Sequence, residues 1–166
     1  MSALIYLRPL KIGDAAISYR WRNDPKVWLY TNFAPSEQIT PEIERKWLAT
    51  VLKKKDQKRF AICMVGTGEY IGNIQLLQIG NREAEFHLFI GEKRYWGKGI
   101  GFEATKQLLQ IAFSDLKLEY VFLHVHPENI VAIRCYRRAG FEAVALENEM
   151  LKMVVKASSF IGAPSN

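Results

Sequence analysis

Apolar residues follow two periodicities along this chain, and each predicts one type of secondary structure. Runs with a period of two, and short continuous apolar runs, predict strands bounded by turn residues. Residues 84–90 alternate most clearly, with Glu85, His87 and Phe89 on one face and apolar side chains on the other. The predicted strands are residues 4–10, 59–65, 69–79, 84–90, 121–125, 141–147 and 150–156. The mostly apolar run at 121–125 predicts a buried strand.

Four segments with helical spacing separate these strands. Asp14 can cap the first, which Asp24-Pro25 ends. Thr40-Pro41, an N-cap followed by proline, is a typical start for the second. Gly140 can provide the C-cap of the last. The predicted helices cover residues 14–23, 40–55, 101–115 and 129–139.

Length and composition indicate one globular domain. The chain has 166 residues, of which 49% are hydrophobic and 24% are charged, and these values are ordinary for a domain with its own core. No apolar run approaches the roughly 20 residues that cross a bilayer, and residues 1–6 lack a signal-peptide pattern. We expect one domain over residues 1–156 and a flexible tail over residues 157–166.

The two cysteines, Cys63 and Cys135, have no spacing typical of a metal or redox site. Cys63 falls in a predicted strand and Cys135 in a predicted helix. We therefore expect two unpaired thiols, no metal ion, and a reducing, cytoplasmic setting.

The net charge of +6 is compatible with a nucleic acid, an anionic membrane surface or an anionic small ligand. Its densest cluster, Lys53-Lys54-Lys55, falls at a predicted helix end, where cations favour the helix dipole. No aromatic side chains interleave these lysines, which disfavours binding of single strands. We expect neither a nucleic-acid nor a membrane partner, and a monomer or homodimer.

The segment Arg94-Tyr95-Trp96-Gly97-Lys98-Gly99-Ile100-Gly101-Phe102 connects a predicted strand to a predicted helix. Glycines at alternate positions let the backbone approach a ligand closely, and the helix N-terminus offers free N–H groups. This combination favours a phosphate or pyrophosphate. A P-loop is excluded because Gly99, not serine or threonine, follows Lys98. A dinucleotide fingerprint is excluded because the glycine spacing differs and several strands precede the loop.

Two motifs together carry a family resemblance that covers essentially the whole chain. Asn129, Ala132, Tyr136, Gly140 and Phe141 form a complete Asn-x-x-Ala-x-x-x-Tyr-x-x-x-Gly-Phe block. With this block and its glycine loop, the chain resembles the GCN5-related N-acetyltransferases, whose acetyl-CoA signature is Gln/Arg-x-x-Gly-x-Gly/Ala.

Two registers of that signature are open. Gly99 and Gly101 can be its two small residues, with Trp96 at the Gln/Arg position, as in parts of the branch that acetylates ribosomal-protein N-termini, spermidine and nucleotide-linked amino sugars. Arg94 with Gly97 and Gly99 fits the pattern literally but would start the helix early. We adopt the register with Trp96.

The resemblance implies a fold and a co-substrate. The fold is a single α+β domain whose mixed, mostly antiparallel sheet is splayed between strands four and five and flanked by about four helices. The co-substrate is acetyl-CoA, with its pyrophosphate on the loop and its pantetheine arm along the backbone of strand four. The implied cofactor-binding residues are Phe89, Ile90, Trp96, Gly97, Lys98, Gly99, Ile100, Gly101, Phe102, Asn129 and Ala132.

The resemblance also implies how the acetyl group moves to a primary amine. Tyr136 is the acid that protonates the thiolate leaving group. Glu85 is our first candidate for the base, His87 the second and Glu83 the third. Because Cys135 lacks a paired base, we expect direct attack in a ternary complex rather than an acetylated enzyme.

The resemblance defines the acceptor amine less closely than the co-substrate. Trp28, Tyr30 and Phe33 fall in the loop that roofs the acceptor site in this family. The amine can be a small molecule such as a nucleotide-linked amino sugar, which the basic balance favours, a polyamine, or a protein N-terminus. The alternative function is a non-catalytic acyl-CoA-binding or sensing module, which Tyr136 and the polar strand four argue against.

Overall fold

The computed structural model describes residues 4–31 and 34–160. Within these residues the order of the main elements is β1 (Ile5–Pro9), α1 (Ala15–Arg22), α2 (Pro41–Val51), β2 (Lys58–Met64), β3 (Tyr70–Gly80), β4 (Glu83–Ile90), α3 (Ile100–Gln110), β5 (Tyr120–Val125), α4 (Ile130–Arg138), β6 (Glu142–Glu147) and β7 (Met150–Lys156). A π-helical turn, Ile111–Asp115, extends α3. No helix in the described part of the chain combines the length and apolarity needed to span a membrane.

The strands form one sheet in the order β1-β2-β3-β4-β5-β7-β6. Every neighbouring pair is antiparallel except β4 and β5, which are parallel. This confirms the predicted α+β fold with a mixed, mostly antiparallel sheet and four flanking α-helices among the described residues.

The element bounds differ from the prediction mainly at the end of α2. The helix begins as predicted, because the Thr40 side chain accepts a hydrogen bond of 3.1 Å from the Ile43 N–H. It was predicted to reach Lys55, but it ends at Val51. Leu52, the C-cap, is the last residue of this segment that packs against the core, and the lysines at 53–55 are exposed, so no apolar contact extends the helix toward Lys55.

The first residues of the predicted tail have a defined conformation. Residues Ala157–Ser159, assigned to a flexible tail, form a 3₁₀ turn, and the Phe160 ring packs 5.3 Å from that of Phe113. Residues 161–166 of the predicted tail lie outside the described residues.

Apolar side chains pack on both faces of the sheet. Successive residues of β2 separate the two cores, because Ile62 packs with the α3 cluster and its neighbours Ala61 and Cys63 pack under α1 and α2. The buried residues on the α3 side include Ile74, Leu76, Phe86, Ala104, Leu108, Leu109, Phe141 and Met153. The helices α1 and α2 add Trp21, Leu48 and Val51 on the other side.

The sheet opens between β4 and β5, as predicted. Their pairing is limited to Glu83–Glu85 opposite Tyr120–Phe122. Beyond that point β4 continues along β3 as far as Ile90, and β5 continues along β7 as far as Val125. We call the resulting gap, between residues 86–90 and 123–125, the splay.

The backbone of β4 faces this gap at alternate positions. The Gly91 N–H donates to the Ile71 carbonyl at 2.8 Å, and the β3–β4 register is constant between Leu77 and Gly72. In an antiparallel pair only alternate residues exchange hydrogen bonds. The backbone groups of Phe89 therefore point toward β3, and those of Leu88 and Ile90 point into the splay.

Trp21 packs against the end of β4 on the sheet face that carries α1 and α2. An added Cβ at Gly91 would lie 2.0 Å from Cδ2 of the Trp21 ring. The indole Nε1 also donates to Glu92 Oε1 at 3.1 Å. Glycine is therefore required at position 91 by the close approach of this ring.

We predict that Gly91→Ala lowers the free energy of unfolding by about 1–3 kcal/mol, the usual effect of overpacking a core. The measurement is urea denaturation. Gly13→Ala is the matched control, because an added Cβ at Gly13 meets nothing within 4 Å. Equal stability of the two variants would contradict the proposed packing of Trp21 on Gly91.

Candidate active site

The glycine loop enters α3 through two left-handed residues. Gly97 has φ of 73° and Gly99 has φ of 78°, a region that favours glycine. Gly99 is the N-cap of α3 and has no side chain to occupy the helix end. The first N–H groups of α3, including those of Ile100 and Phe102, therefore have no side-chain cap from the N-cap residue.

Trp96 ties this loop to the end of β4. Its indole Nε1 donates to the Ile90 carbonyl at 2.8 Å, while 43% of the residue stays exposed. The helix starts at Ile100, which suits the register of the signature in which Gly99 and Gly101 are the two small residues.

Two cations that were not predicted from the sequence, Lys106 and Arg138, lie beside the glycine loop. The Arg138 guanidinium lies 4.1 Å from the centre of the Phe102 ring, and Lys106 Nζ lies 5.5 Å from it. They line a cavity of about 150 Å³ together with Gly140 and Phe160. The basic pair Arg137-Arg138 was visible in the sequence, but its approach to Phe102 depends on the packing of α4 against α3.

Polar side chains line the splay on the sheet face that carries α1 and α2. Glu85 Oε1 lies 3.2 Å from His87 Nε2 and 3.6 Å from His124 Nδ1. The hydrogen bond with His87 holds the pKa of Glu85 below its ordinary value, even though partial burial acts in the opposite direction. Glu85 is therefore an ionised carboxylate at neutral pH. Glu83 lies at the closed end of the splay, opposite Tyr120.

His124 was not predicted as a site residue. The strand that carries it was expected to be buried, but only Val121, Leu123 and Val125 are buried. Phe122 and His124 lie on the more exposed face, and the alternation of the strand was the signal that could have identified them. His124 Nε2 also lies 3.0 Å from Glu147 Oε2.

Gln75 is a second residue that sequence reasoning missed. It lies opposite His87 in the β3–β4 register, so both side chains share one face. Its Oε1 is buried and has no hydrogen-bond partner among the described residues. A buried acceptor without a donor is costly, and it suggests a place for a ligand N–H.

Tyr136 lies on the opposite face of β4 from Glu85. Its ring meets those of Phe86 and Phe141 edge-on, at 5.6 and 5.8 Å. Burial raises the pKa of the phenol, so Tyr136 stays protonated and can donate a hydrogen bond. Asn129 caps the same helix, because its Oδ1 accepts from the Ala132 N–H at 3.3 Å.

Cys135 precedes Tyr136 but is poorly suited to act as a nucleophile. Burial raises the pKa of its thiol, which disfavours the reactive thiolate. Both cysteines are free.

The predicted acceptor residues differ in their surroundings. Trp28 donates from Nε1 to the Trp21 carbonyl at 2.9 Å and its ring lies 5.1 Å from that of Phe89, so it packs over the end of β4. The Tyr30 ring lies 5.5 Å from that of His126. Phe33 lies outside the described residues.

Comparison with known proteins agrees with this geometry. The family described as "Acetyltransferase (GNAT) domain" matches residues 5–142. The chain is 28% identical over 143 residues to an uncharacterized N-acetyltransferase, p20, of Bacillus licheniformis, covering 84% of this chain and 80% of that protein. It is 29% identical over 149 residues to spermidine N(1)-acetyltransferase of Escherichia coli K12, covering 89% of this chain and 76% of that one.

A solved structure shares the fold. The spermidine N-acetyltransferase of Vibrio cholerae, in complex with CoA and spermine, superimposes with a TM-score of 0.84 at 23% identity, covering 95% of this chain and 98% of that one.

The chain belongs to the GNAT acetyltransferase family. It is an enzyme, an N-acetyltransferase that uses acetyl-CoA as its co-substrate.

Proposed function

We propose that this enzyme acetylates a small primary amine by direct attack on acetyl-CoA within the splay. The observation that carries the proposal is the open backbone of β4 at Leu88 and Ile90, which lies between the glycine loop and the Glu85–His87 pair. Acetyl-CoA must place its phosphates on the glycine loop and its thioester near the proton acceptor, and the exposed edge of β4 connects these two points.

We assign the contacts of acetyl-CoA to the glycine loop, the β4 backbone and the start of α4. The N–H groups between Gly97 and Phe102 bind the pyrophosphate, with Lys98 as a nearby positive charge. The amide-rich pantetheine arm pairs with the β4 backbone. Ile90 and Leu88 suit this role better than Phe89, whose backbone groups point toward β3. Asn129 and Ala132 stay proposed cofactor contacts at the start of the helix that carries Tyr136.

The chemistry requires one proton acceptor and one donor. An alkylammonium with a pKa near 10 must lose a proton before it attacks, and we assign that proton to the Glu85–His87 pair. The nitrogen then attacks the thioester carbonyl, and whichever N–H of Leu88 or Ile90 is not used by the pantetheine arm stabilises the oxyanion. The C–S bond breaks as Tyr136 protonates the thiolate, and the second proton of the attacking nitrogen, lost as the amide forms, restores the Tyr136 phenol. Overall, the ammonium and acetyl-CoA yield an acetamide, the CoA thiol and one proton.

The acceptor site is assigned to the face of the splay under α1 and α2. We propose that Gln75 Oε1, which has no partner among the described residues, accepts a hydrogen bond from the acceptor amine. Trp28 and Tyr30 cover the site, and Phe33 stays a proposed contact. The raised pKa of the Cys135 thiol supports the ternary complex over an acetylated cysteine.

We further propose a cytoplasmic setting, which the two free thiols support. Because all residues assigned above come from one chain, a monomer and a homodimer both accommodate the site. We propose no nucleic-acid or membrane partner.

We predict that a negative charge in the glycine loop prevents cofactor binding. Like charges about 4 Å apart near a surface repel by about 1–4 kcal/mol, so Gly99→Asp should weaken CoA binding by about 10-fold or more. Gly99→Asn is the matched control, because both side chains tolerate a positive φ and only one is charged. Calorimetry with CoA is the measurement, and equal affinities would contradict the assignment of the loop.

The proposed function predicts turnover of small amines. A CoA-thiol release assay should compare spermidine, an aminoglycoside, a nucleotide-linked amino sugar and a peptide with a free N-terminus, and one of the small amines should react fastest. Preference for the peptide would overturn the acceptor class.

We predict that Tyr136→Phe lowers kcat for the best amine by about 10²-fold, as expected for loss of a general acid, with CoA affinity retained. An unchanged kcat in the same assay would assign Tyr136 to packing.

We predict that Glu85→Gln lowers kcat by about 10²-fold and shifts the acidic limb of the pH–rate profile, whereas His87→Gln has a smaller effect. A base is lost when it is protonated, so activity falls as the pH falls. Because the pKa of Glu85 lies below its ordinary 4.5, a limb that Glu85 sets alone lies below the range near 6.5 where imidazole titrates.

The same profiles identify the alternatives. A limb that persists in Glu85→Gln and disappears in His87→Gln makes His87 the base. If neither variant changes the limb, the pKa of the amine sets it and the enzyme works mainly by positioning its reactants.

A further inference from the structure

We propose that His124 is the proton exit of this enzyme, passing the proton taken from the amine outward from Glu85 to Glu147 and so to solvent. This inference rests on the proposed function, in which Glu85 and His87 accept that proton.

Each ring nitrogen of His124 faces a different carboxylate. Nδ1 lies 3.6 Å from Glu85 Oε1, and Nε2 lies 3.0 Å from Glu147 Oε2. The three side chains become more exposed in that order, at 20% for Glu85, 30% for His124 and 45% for Glu147. The contacts therefore lead from the splay, where the amine must lose its proton, to the edge strand β6.

Imidazole is suited to this step because it can accept a proton at one nitrogen and release another from the second. A proton arriving from Glu85 binds at Nδ1, the proton on Nε2 leaves to Glu147, and proton exchange with water then returns the ring to its Nε2–H tautomer before the next turnover. Acetylation of an ammonium releases one proton to solvent overall, in addition to the proton that ends on the CoA sulfur. The proton that is released to solvent is the one that needs an exit.

The charges around His124 support outward transfer. His87 and Glu85 lie side by side on β4. Lys152 is opposite His124 in the β5–β7 register, and its Nζ lies 3.8 Å from Glu147 Oε1. Phe122, on the same strand, meets the imidazole edge-on at 6.0 Å. The hydrogen bond with His124 lowers the pKa of Glu147, so this exposed carboxylate releases a proton to water rather than retaining it.

The test is His124→Gln, assayed with the amine that turns over fastest in wild type. We expect kcat to fall by about 10-fold, less than the full effect of a general base because water can partly replace the relay, with KM for the amine unchanged. Imidazole buffer should restore the rate of the variant and leave that of wild type unchanged, because only a missing proton carrier can be replaced from solution. Glu147→Gln should lower kcat in the same direction and less.

Two further variants complete the design. Glu142→Gln, an exposed carboxylate on the same strand as Glu147, is the control and should leave kcat unchanged. His124→Asn, compared with His124→Gln by thermal unfolding, identifies any loss caused by instability of one variant.

An unchanged kcat in both His124 variants, or a loss that imidazole does not restore, would overturn the proton exit. An effect of His124→Gln combined with a silent Glu85→Gln would overturn the route through Glu85 and leave the role of Tyr136 intact. Failure of Tyr136→Phe to alter kcat would instead count against the proposed acid and leave the exit standing.

Discussion

The early end of the pairing between β4 and β5 is the constraint on which the site depends. Each strand keeps its other neighbour, so opening the sheet leaves only one edge of each without a ladder. The exposed edge of β4 presents the backbone groups of Leu88 and Ile90, and unpaired backbone groups away from water are costly. The Trp96 indole satisfies the Ile90 carbonyl. An extended, amide-rich ligand is a natural partner for the remainder.

The alternation of β4 separates the two proton-transfer roles. Glu85 and Phe86 are consecutive, so they point to opposite faces of the sheet. Glu85 meets imidazoles on one face, whereas Phe86 packs against Tyr136 on the other. An ionised carboxylate and a protonated phenol are therefore held on opposite faces of β4, so the proposed acceptor and donor reach the splay from opposite sides.

The parts of the molecule that depend on local spacing could be predicted from the sequence. The Thr40 cap, the strand alternation and the two glycine-containing motifs each involve residues close together in the chain, where sequence pattern and backbone geometry correspond directly. Predicting the end of α2 needed knowledge of which residues the sheet buries.

The missed site residues have a common physical reason. Gln75, His124 and Arg138 act through side chains that lie far away in the sequence and are brought near by strand register or helix packing. Gln75 shares a face with His87 only because of the β3–β4 register. The alternation of β5 indicates that His124 lies on the more exposed face, but no periodicity within one segment shows which distant residues lie beside it.

Net charge does not by itself define the acceptor, because it averages over two regions of opposite charge. The excess of +6 suggested an anionic acceptor. Around the glycine loop the three cations Lys98, Lys106 and Arg138 accompany one acidic residue, Glu103, in the first turn of α3, and this local excess of positive charge suits the phosphates of the cofactor. At the splay the carboxylates of Glu85 and Glu147 face the imidazoles. Because a charge acts mainly within about 8–10 Å at physiological salt, these carboxylates favour the positive charge of the amine itself, whatever the net charge of the rest of the acceptor.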